Sequence, residues 1–426
     1  MQPEFLVKLA WAIGKSIVRN NHARVVIGKD TRVSGYLLES AIQAGLVSAG
    51  VDAYLLGPMP TPAIAYITKS MQFDAGIVLS ASHNPYYDNG LKIFSSAGFK
   101  LDDKTELAIE ALIDKPLQVN APARIGKAYR LDDALRRYID FCKSIVPKNI
   151  HMHGLKVVVD CANGAAYYVA PRIFAELGID VIAINNKPNG VNINENCGST
   201  HPEQLQKEVK KHHAAIGIAF DGDADRVIMV DEQGEIVDGD ELLYIIATHH
   251  QKHNNLRGGI VGTQMTNLGM ELALAEKNIP FIRSKVGDRY VLEQLQTNHW
   301  QLGGESSGHI IHLGFTTTGD AMVSALLVLW ALVESGASLS ELRKPVQKFP
   351  QKMINVNMRT AINTHQQQQI DQAVKAVETQ LQKRGRVLLR PSGTEPLMRV
   401  MVEGEDKKLV EQLSTQLAEE VENILK

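Results

Sequence analysis

Long apolar runs are missing from this chain. The longest, residues 321–333, is too short to span a bilayer and suits a buried helix. Cysteine is scarce: Cys142, Cys161 and Cys197 stand far apart, form no C-x-x-C pair and cannot all pair with one another. A disulfide framework is excluded, and a reducing cytoplasm is expected. Charge of one sign is also lacking. The formal net charge is −2, which favours neither nucleic acid nor an anionic membrane as a partner. A secretory leader is not apparent either. Residues 1–20 place Phe5, Leu9, Ile13 and Ile17 at helical spacing, interrupted by Lys8 and Lys15, and show no small-residue cleavage site. That pattern predicts an amphipathic helix.

What is present is ordinary globular composition, 44% hydrophobic and 22% charged over 426 residues, enough for several domains. One pattern recurs: a β-rich run ends in a polar loop and a helical stretch follows. It occurs at Val25-Val26-Ile27-Gly28-Lys29-Asp30, Gly76-Ile77-Val78-Leu79-Ser80, Lys156-Val157-Val158-Val159-Asp160, Ile216-Gly217-Ile218-Ala219-Phe220 and Gly259-Ile260-Val261-Gly262-Thr263. Such alternation argues for an α/β architecture with largely parallel sheets, whose ligands gather beyond the carboxyl ends of strands. Breaks are expected near residues 115–124, 233–234 and 344–350. After the last, the pattern becomes β-α-β-β-α. The glutamine run 366–369 opens a helix carrying Ile370, Val374, Val377 and Leu381, and a final helix carries Leu409, Leu413, Leu417, Val421 and Ile424. The expected divisions are 1–128, 129–233, 234–344 and 345–426: three related mixed or parallel α/β domains and a smaller α+β domain.

Two loops stand out. In Asp221-Gly222-Asp223-Ala224-Asp225-Arg226, an extended backbone would point residues i, i+2 and i+4 to one side. Asp221, Asp223 and Asp225 would then converge on one hard cation, and Mg²⁺ suits a site that handles phosphate. An EF-hand is excluded, because position 6 holds Arg226 rather than Gly and residues 227–230 read as a strand. An Asp-x-Asp after a strand also opens phosphatases of the haloacid-dehalogenase type, with Asp221 as nucleophile. The other loop, Ser80-Ala81-Ser82-His83-Asn84-Pro85, offers a serine nucleophile. A plain Asn-Pro turn is the bland alternative there. The sequel through Lys92 places His83 and Lys92 near Ser82, both able to handle protons or anionic oxygens.

Further segments are weaker alone. Arg390, Ser392, Thr394 and the backbone around Gly393 could cradle a phosphate, with Arg399 adding charge. In Gly304-Glu305-Ser306-Ser307-Gly308-His309, Glu305 and Ser307 could bind sugar hydroxyls. Lys285-Val286-Gly287-Asp288-Arg289 and Gly28-Lys29-Asp30-Thr31-Arg32 supply more cations.

Taken in order, these four loops resemble the α-D-phosphohexomutase family over almost the whole chain. Supporting stretches are Gly57-Pro58-Met59-Pro60-Thr61-Pro62 and Pro188-Asn189-Gly190-Val191-Asn192-Ile193-Asn194. The resemblance implies four domains around a central cleft. It implies that Ser82 is the phosphorylated serine, and that its phosphate with Asp221, Asp223 and Asp225 holds one Mg²⁺. His83, Lys92, Arg226 and His309 would surround the transferring phosphoryl group. Glu305 and Ser307 would bind the sugar, and Arg390, Ser392, Gly393 and Thr394 its resident phosphate. The implied reaction interconverts glucosamine 6-phosphate and glucosamine 1-phosphate, primed by glucosamine or glucose 1,6-bisphosphate, for cell-wall precursors. The partners would be small sugar phosphates, and the chain a cytoplasmic monomer or homodimer. Alternatives are a mannose or glucose phosphate mutase, and a sugar-phosphate-binding protein without turnover. Family members begin with a strand and a loop of the type Phe-Gly-Thr-Asp-Gly-Ile-Arg-Gly; here the first helix follows Met1 directly. The first sheet is therefore expected to lack an edge, and the site one arginine.

Overall fold

The computed structural model describes residues 2–17, 23–358, 362–382, 384–391 and 396–425. The first sheet orders the strands Leu91–Ser95, Ala75–Leu79, Ala23–Lys29, Val51–Pro58 and Ala128–Arg130. The second orders Ile236–Val237, Val227–Asp231, Ile216–Phe220, Lys156–Asp160 and Asp180–Ile184. The third orders Phe281–Ser284, Ile260–Thr263, Leu302–Gly304 and Ile310–His312. These are the expected mixed α/β units. Ala128–Arg130 pairs with Val51–Pro58, and Ile236–Val237 with Val227–Asp231, so the first two sheets run slightly past residues 128 and 233.

The three sheets share one device. A parallel strand ends, and the chain turns straight back as an antiparallel partner. Leu79 faces Leu91, Phe220 faces Val227, and Gly304 faces Ile310 across the three turns. These turns carry Ser82, the three aspartates, and Glu305 to His309. Three chemically distinct loops thus occupy one structural position, the carboxyl end of a central strand, where open α/β sheets bind ligands.

The three units share a core. One contiguous cluster takes Val26 and Phe94 from the first, Val157 and Phe220 from the second, and Leu302 and Leu326 from the third. The apolar run 321–333 is indeed a buried helix, Ala321–Ser335. Its N-cap Asp320 accepts from Val323 N (3.0 Å) and from the Tyr138 hydroxyl (2.9 Å), and burial pushes its pKa up to about 6. The N-terminal helix Pro3–Ile17 forms as expected, but its buried face is rotated. Leu6, Ala10, Trp11 and Ile13 are enclosed, whereas Phe5 is 46% exposed. The bulk of Trp11, whose indole donates to Gln118 O at 2.9 Å, outweighs the stripe through Phe5.

The C-terminal unit has its own core. It runs Gln351–Asn357, Thr364–Leu381, Gly385–Pro391, Leu397–Gly404 and Lys407–Leu425, the predicted β-α-β-β-α order, with a wholly antiparallel sheet. Gln366 closes a capping box with Asn363, which is why the glutamine run begins a helix rather than a loop. Among the described residues, no helix is long and apolar enough to cross a membrane.

Candidate active site

Ser82 sits in a strained turn with φ of 52°, a conformation that costs a non-glycine residue free energy and persists only when its surroundings impose it. The surroundings do impose it. Ser82 N donates to Ser80 Oγ at 2.9 Å. The Ser82 and Asn84 carbonyls accept from the Arg32 guanidinium (3.2 and 2.6 Å) and from Asn194 Nδ2 (2.9 and 3.0 Å). Arg32, 2% exposed, is itself held by Asp30. Burial raises the Asp30 pKa, and the Arg32 charge opposes that shift. Of the cations foreseen in residues 28–32, Arg32 therefore serves to shape the serine loop. Lys29 turns away to Glu39 at 2.6 Å.

The Ser82 hydroxyl donates to Asp221 Oδ2 at 2.6 Å, joining the first hairpin turn to the second. The aspartate segment is not extended, contrary to the alternation argument. It is a turn in which Ala224 adopts φ of 56°, and Asp225 N and Arg226 N fold back onto Asp221 Oδ1 at 3.1 and 3.2 Å. The carboxylates converge because the turn wraps them around a point. Gly222 makes the approach possible: a Cβ there would lie 2.5 Å from the Ser82 carbonyl. All three carboxylates are buried, with one oxygen from each within 4.8 Å of the others.

Such crowding needs compensation. Lys92 Nζ donates to Asp223 Oδ2 (2.6 Å) and Asp225 Oδ2 (2.8 Å). Burial works against the ammonium, but the two carboxylates outweigh it, and the Lys92 pKa rises above its ordinary value. Burial and the neighbouring Asp225 and Asp223 charges push the Asp221 pKa well up. Asp225 moves the other way: burial is overcome by Lys92 and His309. Thr61 also donates its hydroxyl to Asp223. Even so, Asp223 Oδ1 and Asp225 Oδ1 are buried without a hydrogen-bond partner. Buried carboxylate oxygens left orphaned beside one another are what a hard divalent cation would satisfy, so the donor set fits a metal ion.

Arg226 Nη1 lies 3.2 Å from His83 Nδ1. Burial and the Arg226 charge lower the His83 pKa. His309, on the third hairpin turn, puts Nδ1 3.6 Å from Asp225 Oδ1 and Nε2 3.6 Å from Asp288 Oδ2, and Nε2 accepts from Gly319 N at 3.2 Å. Glu305 Oε1 accepts from Gly287 N at 3.1 Å, while Ser307 Oγ is buried without a partner. Gly308 ties this turn to the aspartate hairpin: its φ is 89° and Val227 N donates to its carbonyl at 3.1 Å.

The structure thus brings together Ser82, His83, Lys92, Asp221, Asp223, Asp225, Arg226 and His309. It does not bring Arg390 to them. Arg390 lies near the end of the Gly385–Pro391 strand, opposite Arg399, and among the described residues forms no hydrogen bond with the serine–aspartate cluster. Ser392, Gly393 and Thr394 lie outside the described residues. Lys285 and Arg289 do not enter the cluster either: Arg289 pairs with Asp103, and Lys285 lies over the Tyr290 ring. Sequence reasoning missed Thr61, Asn194 and Asp288 as parts of the site. All three fall in segments it had singled out, but a lone hydroxyl, amide or carboxylate carries no signal of its own.

Comparison with known proteins gives the family. Four family descriptions match in order: "Phosphoglucomutase/phosphomannomutase, alpha/beta/alpha domain I" over residues 1–120, domain II over 136–234, domain III over 238–349, and the C-terminal domain over 353–420. The chain belongs to the phosphoglucomutase/phosphomannomutase family, the α-D-phosphohexomutases, and is an enzyme of the isomerase class. It is 58% identical to the phosphoglucosamine mutase of Nitrosococcus oceani, over 98% of this chain and 93% of that one. It is 55% identical to the phosphoglucosamine mutase of Ectopseudomonas mendocina, over 99% and 95%. Among solved structures, a phosphoglucomutase/phosphomannomutase family protein from Burkholderia thailandensis superposes with a TM-score of 0.82 at 22% identity, covering 100% of this chain and 94% of that one.

Proposed function

We propose that this chain acts as a phosphoglucosamine mutase, interconverting glucosamine 6-phosphate and glucosamine 1-phosphate. The observation that carries this reading is its identity of 58% and 55% to phosphoglucosamine mutases across nearly its full length. Ser82 Oγ carries the phosphoryl group in the working form. The free hydroxyl of the bound sugar phosphate attacks phosphorus; the Oγ–P bond breaks as the new O–P bond forms, giving a sugar bisphosphate. The proton leaving that hydroxyl passes to His309, which shares a turn with the sugar-binding candidates Glu305 and Ser307 and has Asp225 and Asp288 on either side. The bisphosphate then presents its other phosphate. Ser82 Oγ attacks that phosphorus, the sugar O–P bond breaks, and the proton held by His309 returns to the freed sugar oxygen, which regenerates the phosphoserine.

Lys92 and Arg226 keep positive charge beside the transferring oxygens. His83 accepts from Arg226 and fixes its direction. Arg390 with Ser392, Gly393 and Thr394 holds the phosphate that is not reacting. The metal site, Asp221, Asp223, Asp225 and the Ser82 oxygen, takes Mg²⁺, which would supply charge neutralisation to phosphoryl transfer. A hexosamine or glucose 1,6-bisphosphate primes the unphosphorylated enzyme. A cytoplasmic setting and a monomer or homodimer belong to the same proposal; the three free cysteines are all buried.

The test is kcat/KM for glucosamine, glucose and mannose 6-phosphates, with bisphosphate primer and Mg²⁺. The amino sugar is expected to lead. A higher value for mannose 6-phosphate, or release of inorganic phosphate in place of isomerisation, would overturn the assignment.

A further inference from the structure

Far from the serine–aspartate cluster, two helices end against each other. Gly239–Lys252 terminates at its C-cap His253, and Ala321–Ser335 terminates one residue beyond Glu334. The two helices pack together within the shared core. At this meeting point His249 Nε2 lies 2.7 Å and His253 Nε2 2.6 Å from the same oxygen, Glu334 Oε2. His249 and His253 stand four residues apart, one turn of helix, so their rings project from one face. One donor atom from each of the three residues falls within 4.8 Å of the others. The position is reachable from solvent, since the His253 and Glu334 side chains are 32% and 25% exposed, whereas His249 is 7% exposed and anchored against Trp330.

We propose that His249, His253 and Glu334 form a binding site for one borderline divalent metal ion of the zinc class. Two imidazole nitrogens and a carboxylate, with a further position open to water, are a donor set that zinc takes. Imidazole-rich sets select zinc, copper, nickel or cobalt over magnesium and calcium, which take oxygen donors. A second observation points the same way. Helix C-termini carry partial negative charge from their unsatisfied carbonyls. Two of them meet here around a carboxylate, so the local field favours a cation independently of the ligand set. The pair His250 and His312, with Nε2 atoms 3.2 Å apart, lies alongside but is fully enclosed in the core, and is not part of the site.

This site is separate from the catalytic one. Asp320 and Ala321, at the other end of the Ala321–Ser335 helix, adjoin the aspartate turn through Ala321 N and Ala224 O at 3.2 Å. At 1.5 Å rise per residue, Glu334 is about 20 Å further along the axis. A metal ion there would pin the ends of two helices and act on stability, not on phosphoryl transfer.

The experiment uses the untagged full chain, stripped with chelator and then held in millimolar Mg²⁺ so that the aspartate cluster is occupied. Calorimetric titration with Zn²⁺ should show one site per chain, and Co²⁺ in its place should give visible absorption bands of a nitrogen-ligated, low-coordinate ion. His253→Ala and Glu334→Gln alter partly exposed groups and should each weaken Zn²⁺ binding by about 10²-fold. Both should unfold at the wild-type temperature in chelator, while only wild type gains thermal stability from Zn²⁺. Absence of Zn²⁺ binding in wild type, or equal affinity in wild type and both variants, overturns the proposal. So does a loss that appears only in His312→Ala, which would move the site to the buried pair. If a variant unfolds early in chelator, its Co²⁺ spectrum below that temperature decides: wild-type bands overturn the assignment, their loss supports it.

Discussion

The first three units and the C-terminal unit are built differently. The first three share one continuous core and are fastened around the site by hydrogen bonds and charge: Ser82 on Asp221, Thr61 on Asp223, Lys92 on Asp223 and Asp225, and His309 of the third unit beside Asp225. The C-terminal unit has a core of its own. It meets the third unit through polar contacts: Arg386 to the carbonyls of Gln264 and Thr266 (2.8 and 2.7 Å), and Leu268 N to Glu403 (2.7 Å). On the proposed function, the difference follows from what each part would handle. A cluster of buried carboxylates cannot exist without immediate compensation, so the transfer centre is assembled before substrate arrives. On the same proposal, groups that would meet a ligand are left partly unsatisfied, as Ser307 Oγ is, and a unit with a separate core would be free to move toward a bound sugar phosphate.

If the first region is the chemical one, the largest effect should come from Ser82. Ser82→Ala removes the oxygen proposed to carry phosphate. Mutase turnover should fall by about 10⁴-fold or more, as for other nucleophile deletions. Intact-mass measurement should lose the phosphorylated species. A phosphatase acting through Asp221 would keep most of its activity in this variant, and that result would sink the serine mechanism.

Next comes the compensated cluster. Asp223→Asn takes one of the two carboxylate partners from Lys92 and one ligand from the cation site. Turnover should fall on the order of 10²-fold or more, the scale of losing one preorganised charged group. Chelation of wild type should give a loss at least as large, restored by Mg²⁺. Full activity in chelator would mean that Lys92 alone neutralises the cluster.

The C-terminal unit should answer differently. Arg390→Lys keeps the charge but loses the planar fork that binds phosphate through paired hydrogen bonds. KM for the sugar phosphate should rise roughly tenfold, with kcat within a few-fold and stability unchanged to about 0.5 kcal/mol. Unchanged kinetics would place the resident phosphate elsewhere. A fall in kcat with constant KM would show that Arg390 belongs to the transfer centre, and would erase the contrast between the regions.

The same contrast governs what could be read from sequence. Strands, the polar loops at their ends and the three aspartates were legible, because buried parallel strands are near-continuous apolar runs and loops at their ends carry ligands. The helical stretch expected after residues 76–80 and 216–220 is instead an antiparallel strand, Leu91–Ser95 and Val227–Asp231, because the chain pairs back on the strand it has just left. The β-α-β-β-α order of the C-terminal unit was legible for similar reasons. The mechanism of convergence was not. Alternation along an extended segment placed the aspartates together for a reason the structure does not use; only the turn at Ala224, with Gly222 giving clearance for Ser82, explains it. Arg32 was visible as a cation, but its partners, the Ser82 and Asn84 carbonyls, lie far away in sequence. Backbone acceptors leave no trace in composition. The rotated face of Pro3–Ile17 has the same origin: Trp11 finds its partner at Gln118, beyond any helical periodicity.

The smallest predicted effect is one of stability, and it runs against function. Burial with Asp225 and Asp223 beside it raises the folded-state pKa of Asp221 well above its usual value. The sign follows from proton linkage. As pH rises past the unfolded carboxylate pKa, near 3.9, the unfolded chain releases this proton while the folded chain retains it. Metal-free stability therefore falls through that window and levels off once pH exceeds the folded pKa. Asn at this position never ionises. In chelator, Asp221→Asn should match wild type near pH 4 and exceed it at pH 7.5, by on the order of 1 kcal/mol or more, as for other relieved buried charges. Mg²⁺ should reverse the order, since only wild type retains the full ligand set and binding stabilises the folded state. Denaturant unfolding at the two pH values, with and without Mg²⁺, measures all four terms. If the Asn variant is the less stable one at pH 7.5 in chelator, the hydrogen bonds from Ser82, Asp225 N and Arg226 N outweigh the charge crowding, and the aspartate turn is held by its own contacts rather than awaiting a cation.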